Sequence, residues 1–189
     1  MQGRWDTIII NGMEADDAMC IEQTRYERSY HSMLLEGQEE GSIRTIICTR
    51  DKDLRQCSGW AFGWELGNQP QFGPELVEGY GYLKLSKDKK SLKGVGEKFF
   101  YAQLIMGDVT DNIPGIPKSG AIAAFKLLDD TSTCGEGFKA VVEAYRGFYG
   151  ESWKEELLEQ GQLLWMVREL DAEDKPIMWK IPYEDISNL

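Results

Sequence analysis

Leu104-Ile-Met-Gly-Asp-Val-Thr-Asp-Asn-Ile-Pro-Gly-Ile-Pro-Lys-Ser-Gly-Ala121 is the stretch on which the reading of this chain turns. It reads as the end of an apolar helix, a tight acidic loop, a Pro- and Gly-rich turn, and the start of a second helix. Asp108 and Asp111 stand three apart, a spacing that puts both carboxylates on one side of a helical turn. Like charges that close are unfavourable unless a cation lies between them. A hard divalent metal suits them, because Mg²⁺ takes oxygen ligands and few carboxylates at a time. Taken alone, the pair fits an acidic helix-capping loop equally well. Two further acidic groups shift the balance.

Working back toward the N-terminus, Ile43–Thr49 reads as a buried strand, and Arg50-Asp51-Lys52-Asp53 follows it directly. In open α/β sheets, ligands bind beyond the carboxyl ends of strands, where Asp51 and Asp53 stand. A calcium EF-hand needs further ligands in fixed register, which the following residues do not supply. Earlier still, Thr7–Ile10 reads as a short buried strand, Asn11-Gly12 as a turn, and Met13–Leu34 as a helix. Glu14, Asp16 and Asp17 sit at its start, where acidic residues also favour the helix dipole. Strand, helix, strand predicts a βαβ unit and a parallel sheet.

Residues 59–98 differ in style. Trp60–Trp64 alternates and Tyr80–Leu85 resembles another strand, which predicts a β-hairpin or meander inserted at the sheet edge. Lys84, Lys87, Lys89, Lys90, Lys93 and Lys98 make the densest basic run and lead into the acidic centre, as a phosphate-contacting patch would. Beyond the centre, a helix is expected over Ser119–Leu128 with Ser119 as N-cap, then a linker over Thr131–Gly137. A short helix over Lys139–Tyr145, a long one over Glu151–Leu170 and an extended tail follow.

The totals bound the function. A chain of 189 residues fits one domain with or without an appendage, here divided as 1–98 and 99–189. No apolar run is long enough to span a membrane and no signal peptide is visible, so a cytoplasmic protein is expected. The four cysteines show no C-x-x-C spacing and are expected as reduced thiols. One histidine, His31, makes a Ser-His-Asp mechanism improbable. The net charge of −11 argues against nucleic acid unless the acidic groups are matched by metal. Seven carboxylates in three groups suit a site for two ions about 4 Å apart, which activates water and stabilises the leaving oxygen of a phosphoryl displacement.

Gly12-Met-Glu-Ala-Asp-Asp17, Thr49-Arg-Asp-Lys-Asp-Leu54 and Gly107-Asp-Val-Thr-Asp-Asn-Ile-Pro-Gly115 resemble, in order, three motifs of the 5′ nucleases, the 5′–3′ exonuclease and flap endonuclease family. The likeness covers residues 7 to about 130; the resemblance of Glu159–Met166 to the phage exonucleases is weaker. It implies a PIN-like α/β fold with a helix–three-turn–helix element over Leu104–Leu128 that binds duplex DNA and holds a K⁺ ion through backbone carbonyls. It implies Mg²⁺ or Mn²⁺ ligands at Glu14, Asp16, Asp17, Asp51, Asp53, Asp108 and Asp111. Of these, Asp16, Asp17, Asp51, Asp53, Asp108 and Asp111 would be catalytic. DNA contacts would fall to Lys87, Lys89, Lys90, Lys93, Gly115, Lys118, Ser119 and Gly120. The implied activity is two-metal cleavage of DNA 5′ ends, flaps or nicks in phage replication or repair.

Two departures stand out. Lys118 stands where the family often has glycine. The family's N-terminal part, with its first metal-binding Asp and basic arch, has no counterpart before Gly12. The chain is then a fragment, one half of a two-chain enzyme, or a shortened variant. A DNA-binding subunit needing a second polypeptide is the alternative function, and an interaction module built on the aromatic hairpin is a third.

Overall fold

The computed structural model describes residues 6–35 and 45–182. Among these residues the fold is mixed α/β: a small mixed sheet, a separate hairpin and five α-helices. Helix α1 spans Ala15–Leu35. Strand β1 (Ile46–Cys48) pairs in parallel with β2 (Gly59–Gly63), and β2 pairs antiparallel with β3 (Phe72–Val77). The parallel connection from β1 to β2 is short, passing through a 3₁₀ turn at Asp53–Gln56. Strands β4 (Tyr82–Leu85) and β5 (Leu92–Val95) form the hairpin.

The expected insertion at the sheet edge is therefore two things. Strand β2 belongs to the sheet as the parallel partner of β1, while β4 and β5 pack through Leu83 and Leu92 onto the helices. The expected strand at Thr7–Ile10 does not form. The segment is irregular, with Ile8 and Ile9 more than 80% exposed. A β-branched run makes a strand only where a partner edge meets it. Among the described residues β1 pairs with β2 alone. The expected strand–helix–strand unit is thus absent, and the parallel pair is β1–β2.

Helix α2 (Gly96–Met106) is the centre of the core. Seven consecutive residues, Phe99–Ile105, are buried, as in a helix enclosed on every side. Around it pack α3 (Ala121–Leu128), α4 (Cys134–Tyr149) and α5 (Trp153–Leu164). The Thr131–Gly137 linker is shorter than expected. Thr133 caps α4 by accepting from the Glu136 N–H, and the Glu136 carboxylate accepts from the Ser132 N–H. That T-x-x-E capping box starts a helix that the two glycines of the segment disguise. Helix α5 stops at Leu164 rather than Leu170, because the Val167 N–H leaves the helix pattern to donate to Asp17. The chain then turns back and lays Trp179 against Gly161, where a Cβ would stand 2.2 Å from the indole.

The cysteines also depart from expectation. Cys20 of α1 and Cys57, just past the 3₁₀ turn, form a buried disulfide with Cα atoms 5.9 Å apart, while Cys48 and Cys134 are free. The bridge ties the helix bearing Asp16 and Asp17 to the loop bearing Asp51 and Asp53.

Candidate metal centre and basic groove

The acidic loop is closed by backbone hydrogen bonds and by a tight crossing of two glycines. Asp108 and Ile113 exchange two backbone hydrogen bonds, at 2.9 and 2.8 Å, closing the loop on itself. Gly107 and Gly115, both at positive φ, cross so closely that a Cβ on Gly115 would lie 2.3 Å from the Gly107 nitrogen. Only glycine fits at that crossing. The loop thus presents Asp108 buried and Asp111 exposed. From the other side, Asp53 opens the 3₁₀ turn after β1, its N–H donating to Asp51 at 2.9 Å.

One carboxylate oxygen from each of Asp53, Asp108 and Asp111 lies within 4.8 Å of the others. Three oxygen donors from two chain segments are a suitable set for a hard divalent cation. The donors around them sort the oxygens. Gln103 Nε2 donates to Asp53 Oδ1 at 2.6 Å, and the Thr110 N–H donates to Asp108 Oδ1 at 2.9 Å. Lys52 Nζ reaches Asp108 Oδ2 and both oxygens of Asp53, at 3.3 and 3.5 Å.

A protein cation therefore already faces two of these carboxylates. Lys52 stands among them, a tethered cation in contact with Asp108 and Asp53. Burial opposes the charge of Lys52, yet Asp108 and Asp53 raise its pKa above the ordinary value. Burial likewise opposes ionisation of Asp108, but Lys52 and the Thr110 N–H hold it below the ordinary carboxylate range. Burial pushes Asp53 up, and Asp51 and Asp108 add to that against the pull of Lys52 and Gln103, leaving it above its ordinary value.

The other four candidate ligands do not join this triad. Asp16 lies near Asp51, Glu14 and Asp17, and burial and those three charges raise its pKa. The Asp51 Oδ1 accepts from the Asp53 N–H, which links this second group to the triad through one turn of backbone. Asp17 has a structural partner, because its Oδ1 accepts from the Val167 N–H at 2.8 Å. Glu14 is exposed ahead of α1.

The lysines converge partly. Lys89, Lys90, Lys118 and Lys126 line one groove of about 470 Å³ with Gly120, between the turn of the β4–β5 hairpin and the start of α3. Lys126 has no place in the sequence reading, yet one turn and a half along α3 brings it beside the helix start. Lys84 and Lys93 are exposed and directly opposed across β4 and β5, a like-charge pair that is unfavourable without an anion nearby. Lys87 is exposed on the same hairpin.

Three residues are placed otherwise than expected. Lys98 is buried and donates to the carbonyls of Asp129 and Thr131, capping the end of α3. Gly115 is buried, its carbonyl accepting from Tyr149 Oη and Gln160 Nε2. Ser119 lines the neighbouring apolar cavity with Ile105 and Phe148, and Gly120 takes the N-cap position without any side-chain bond. Lys118 holds φ at +67°, so the turn keeps the left-handed conformation that a glycine would take freely.

Comparison with protein-family models, with curated proteins and with solved structures finds no match to this chain. No helix among the described residues is long and apolar enough to cross a membrane.

Proposed function

We propose that this chain is a metal-dependent 5′ nuclease acting on DNA ends, flaps or nicks, with a PIN-like core and a helix–three-turn–helix element over α2, its loop and α3. The observation that carries the reading is the convergence of Asp53, Asp108 and Asp111 from two separate segments, within 4.8 Å. Their motifs are two of the three that resemble the family. Mg²⁺ or Mn²⁺ bound there supplies the positive charge that activates water and stabilises the leaving oxygen. Lysines 89, 90, 118 and 126 hold the phosphate backbone, a sequence-independent and salt-sensitive contact that the acidic remainder of the chain does not provide. Lys52 offsets one of the triad's negative charges before metal arrives, through its contacts with Asp53 and Asp108.

The test is cleavage of a 5′-labelled flap duplex with Mg²⁺ or Mn²⁺ against EDTA, in wild type and in Asp108→Asn/Asp111→Asn. Metal-dependent cutting lost in the double variant supports the assignment. Cutting unchanged by that variant refutes it.

A second reading has its own observation. Asp17 is engaged by Val167, and Glu14, Asp16 and Asp51 stand apart from the triad, so among the described residues no second set of three ligands converges as the triad does. On this reading the chain is a DNA-binding subunit completed by another polypeptide, which would pair along β1 and cover Ile8 and Ile9. Duplex binding without cutting is its signature in the same assay.

A further inference from the structure

Two fully buried glutamines lie behind the acidic triad. Gln103 of α2 is 0% exposed and Gln56 is 1% exposed. Their amides form a chain. Gln56 Nε2 donates to the Leu164 carbonyl at 3.2 Å and to Gln103 Oε1 at 2.7 Å, and Gln103 Nε2 donates to Asp53 Oδ1 at 2.6 Å. The second N–H of Gln103 points to Asp108 Oδ2 at 3.4 Å. An amide carries its acceptor and donors on opposite sides. With Gln56 fixing the oxygen of Gln103, the NH₂ group has one direction left, and that direction is between Asp53 and Asp108.

The arrangement costs free energy in the metal-free fold. Gln56 Oε1 is buried with no partner, which is unfavourable by about 1–3 kcal/mol. Gln103 also draws together two carboxylates of like charge. Stability alone would favour an apolar pair. A buried amide held by a second amide, with both of its own N–H groups turned to two candidate ligands, fits a positioning role, since groups that orient metal ligands are held by partners of their own.

We infer that Gln103, oriented by Gln56, is a positioning residue for divalent-metal binding: it fixes Asp53 Oδ1 and so leaves Asp53 Oδ2 turned toward the ion. This rests on the reading of Asp53, Asp108 and Asp111 as metal ligands. Gln160 supplies an internal control. It is also a glutamine buried to 3% exposure, but its Nε2 donates to the Gly115 carbonyl and touches no carboxylate.

The experiment is Mn²⁺ titration by calorimetry of the full chain, wild type against Gln103→Met, Gln56→Met, Gln160→Met and Asp108→Asn, with melting temperatures alongside. Methionine keeps the length and volume and removes the amide. Gln103→Met is expected to weaken Mn²⁺ binding by about 10–100-fold and Gln56→Met by a smaller factor. Gln160→Met is expected to lower the melting temperature without changing Mn²⁺ affinity. In wild-type protein, the protected Gln103 side-chain ¹⁵NH₂ signals are expected to shift during a Mg²⁺ titration, a readout that needs no variant to fold. Wild-type Mn²⁺ affinity in Gln103→Met, with binding lost in Asp108→Asn, overturns the positioning role and leaves the metal site standing. Absence of Mn²⁺ binding in wild type overturns both.

Discussion

Replacing Lys52 with methionine separates two roles that the wild-type structure superposes. Methionine keeps an apolar stem of similar length and removes only the ammonium. In the metal-free protein the change strips Asp108 of its cation. The Asp108 side chain is 5% exposed, and afterwards it keeps the Thr110 N–H at 2.9 Å and the long Gln103 contact at 3.4 Å. Breaking a fully buried pair costs about 3–5 kcal/mol. The Lys52 side chain is 42% exposed, so solvent screens the pair and roughly 1–3 kcal/mol is expected. For a chain of this size each kcal/mol moves the melting temperature by about 2–4 °C. In the presence of Mn²⁺ the sign reverses. An ammonium about 5 Å from a divalent ion is repelled by about 2–3 kcal/mol at an effective dielectric of about 40–80. If the side chain swings away instead, its contacts with Asp108 and Asp53 are lost. Either way the metal meets an opposing term in wild type, and Lys52→Met is expected to bind Mn²⁺ about ten- to a hundredfold more tightly. Calorimetric titration together with thermal denaturation, with and without saturating Mn²⁺, reads both effects. A variant that binds Mn²⁺ no more tightly than wild type refutes the claim that Lys52 opposes metal binding.

Further predictions address the rest of the site. Burial, Asp51, Glu14 and Asp17 raise the Asp16 pKa above its ordinary 3.8. A carboxyl raised on folding favours the fold below its ordinary pKa, and that contribution is lost as pH rises through the folded value. Asp16→Asn is therefore expected to raise the metal-free melting temperature at pH 7, with the gain fading as pH falls toward 3.8; an equal gain at both pH values refutes the assignment. Lys118→Gly relieves a left-handed backbone at φ +67° and is expected to stabilise the fold by about 1 kcal/mol, seen in chemical denaturation, while weakening duplex binding. Neutralising Lys89 and Lys90 together is expected to flatten the salt dependence of DNA binding by about two units of log–log slope, and Lys126→Gln by about one. An unchanged slope means the groove is merely solvated. Reducing Cys20–Cys57, or replacing both with serine, is expected to cost about 3–4 kcal/mol in chemical denaturation for a sequence separation of 37. Thiol titration of the unreduced, unfolded chain is expected to find Cys48 and Cys134 alone, and four reactive thiols refute the pairing.

What the sequence disclosed follows from the range of the interactions concerned. Helix α2, its loop and the start of α3 were legible because the cues are local: an apolar run, Gly107 where the backbone turns left-handed, Pro114 and Gly115, then a second apolar run. Asp53 was read in the loop after a strand and Asp108 and Asp111 in the loop after a helix, and their approach within 4.8 Å agrees with grouping them. Other features depend on distant partners. Asp17 is claimed by Val167, 150 residues away, and that one hydrogen bond also helps end α5 short of its amphipathic pattern. Cys20 meets Cys57 only once α1 lies across the 3₁₀ turn. Lys98 sits in a lysine-rich run, and nothing nearby in sequence indicates that its ammonium turns inward onto Asp129 and Thr131. The capping box at Thr133 is the exception: its signal was local, but Gly135 and Gly137 outweighed it.

Lys52 shows why composition misleads about charge. The chain carries 32 acidic and 21 basic residues, and from those totals three converging aspartates look uncompensated. Compensation is a matter of distance, however, since Coulomb energy falls with separation and with the dielectric between the charges. One lysine within 3.5 Å of Asp53 and in contact with Asp108 outweighs many lysines on the far hairpin. The same locality acts in the opposite sense at the groove. Lys89, Lys90, Lys118 and Lys126 share one concave surface, so a phosphate backbone there experiences their field more strongly than that of the acidic majority, while screening weakens charges beyond about 10 Å at moderate salt. An overall charge of −11 is thus compatible with a polyanionic ligand. Raising the ionic strength has two opposed consequences: it screens the repulsion from the acidic remainder, and it weakens the four-lysine contact by counterion exchange. If the groove is the binding surface, the second effect dominates and DNA affinity falls monotonically with salt. If binding occurs elsewhere, on a surface where repulsion matters more than attraction, affinity passes through a maximum.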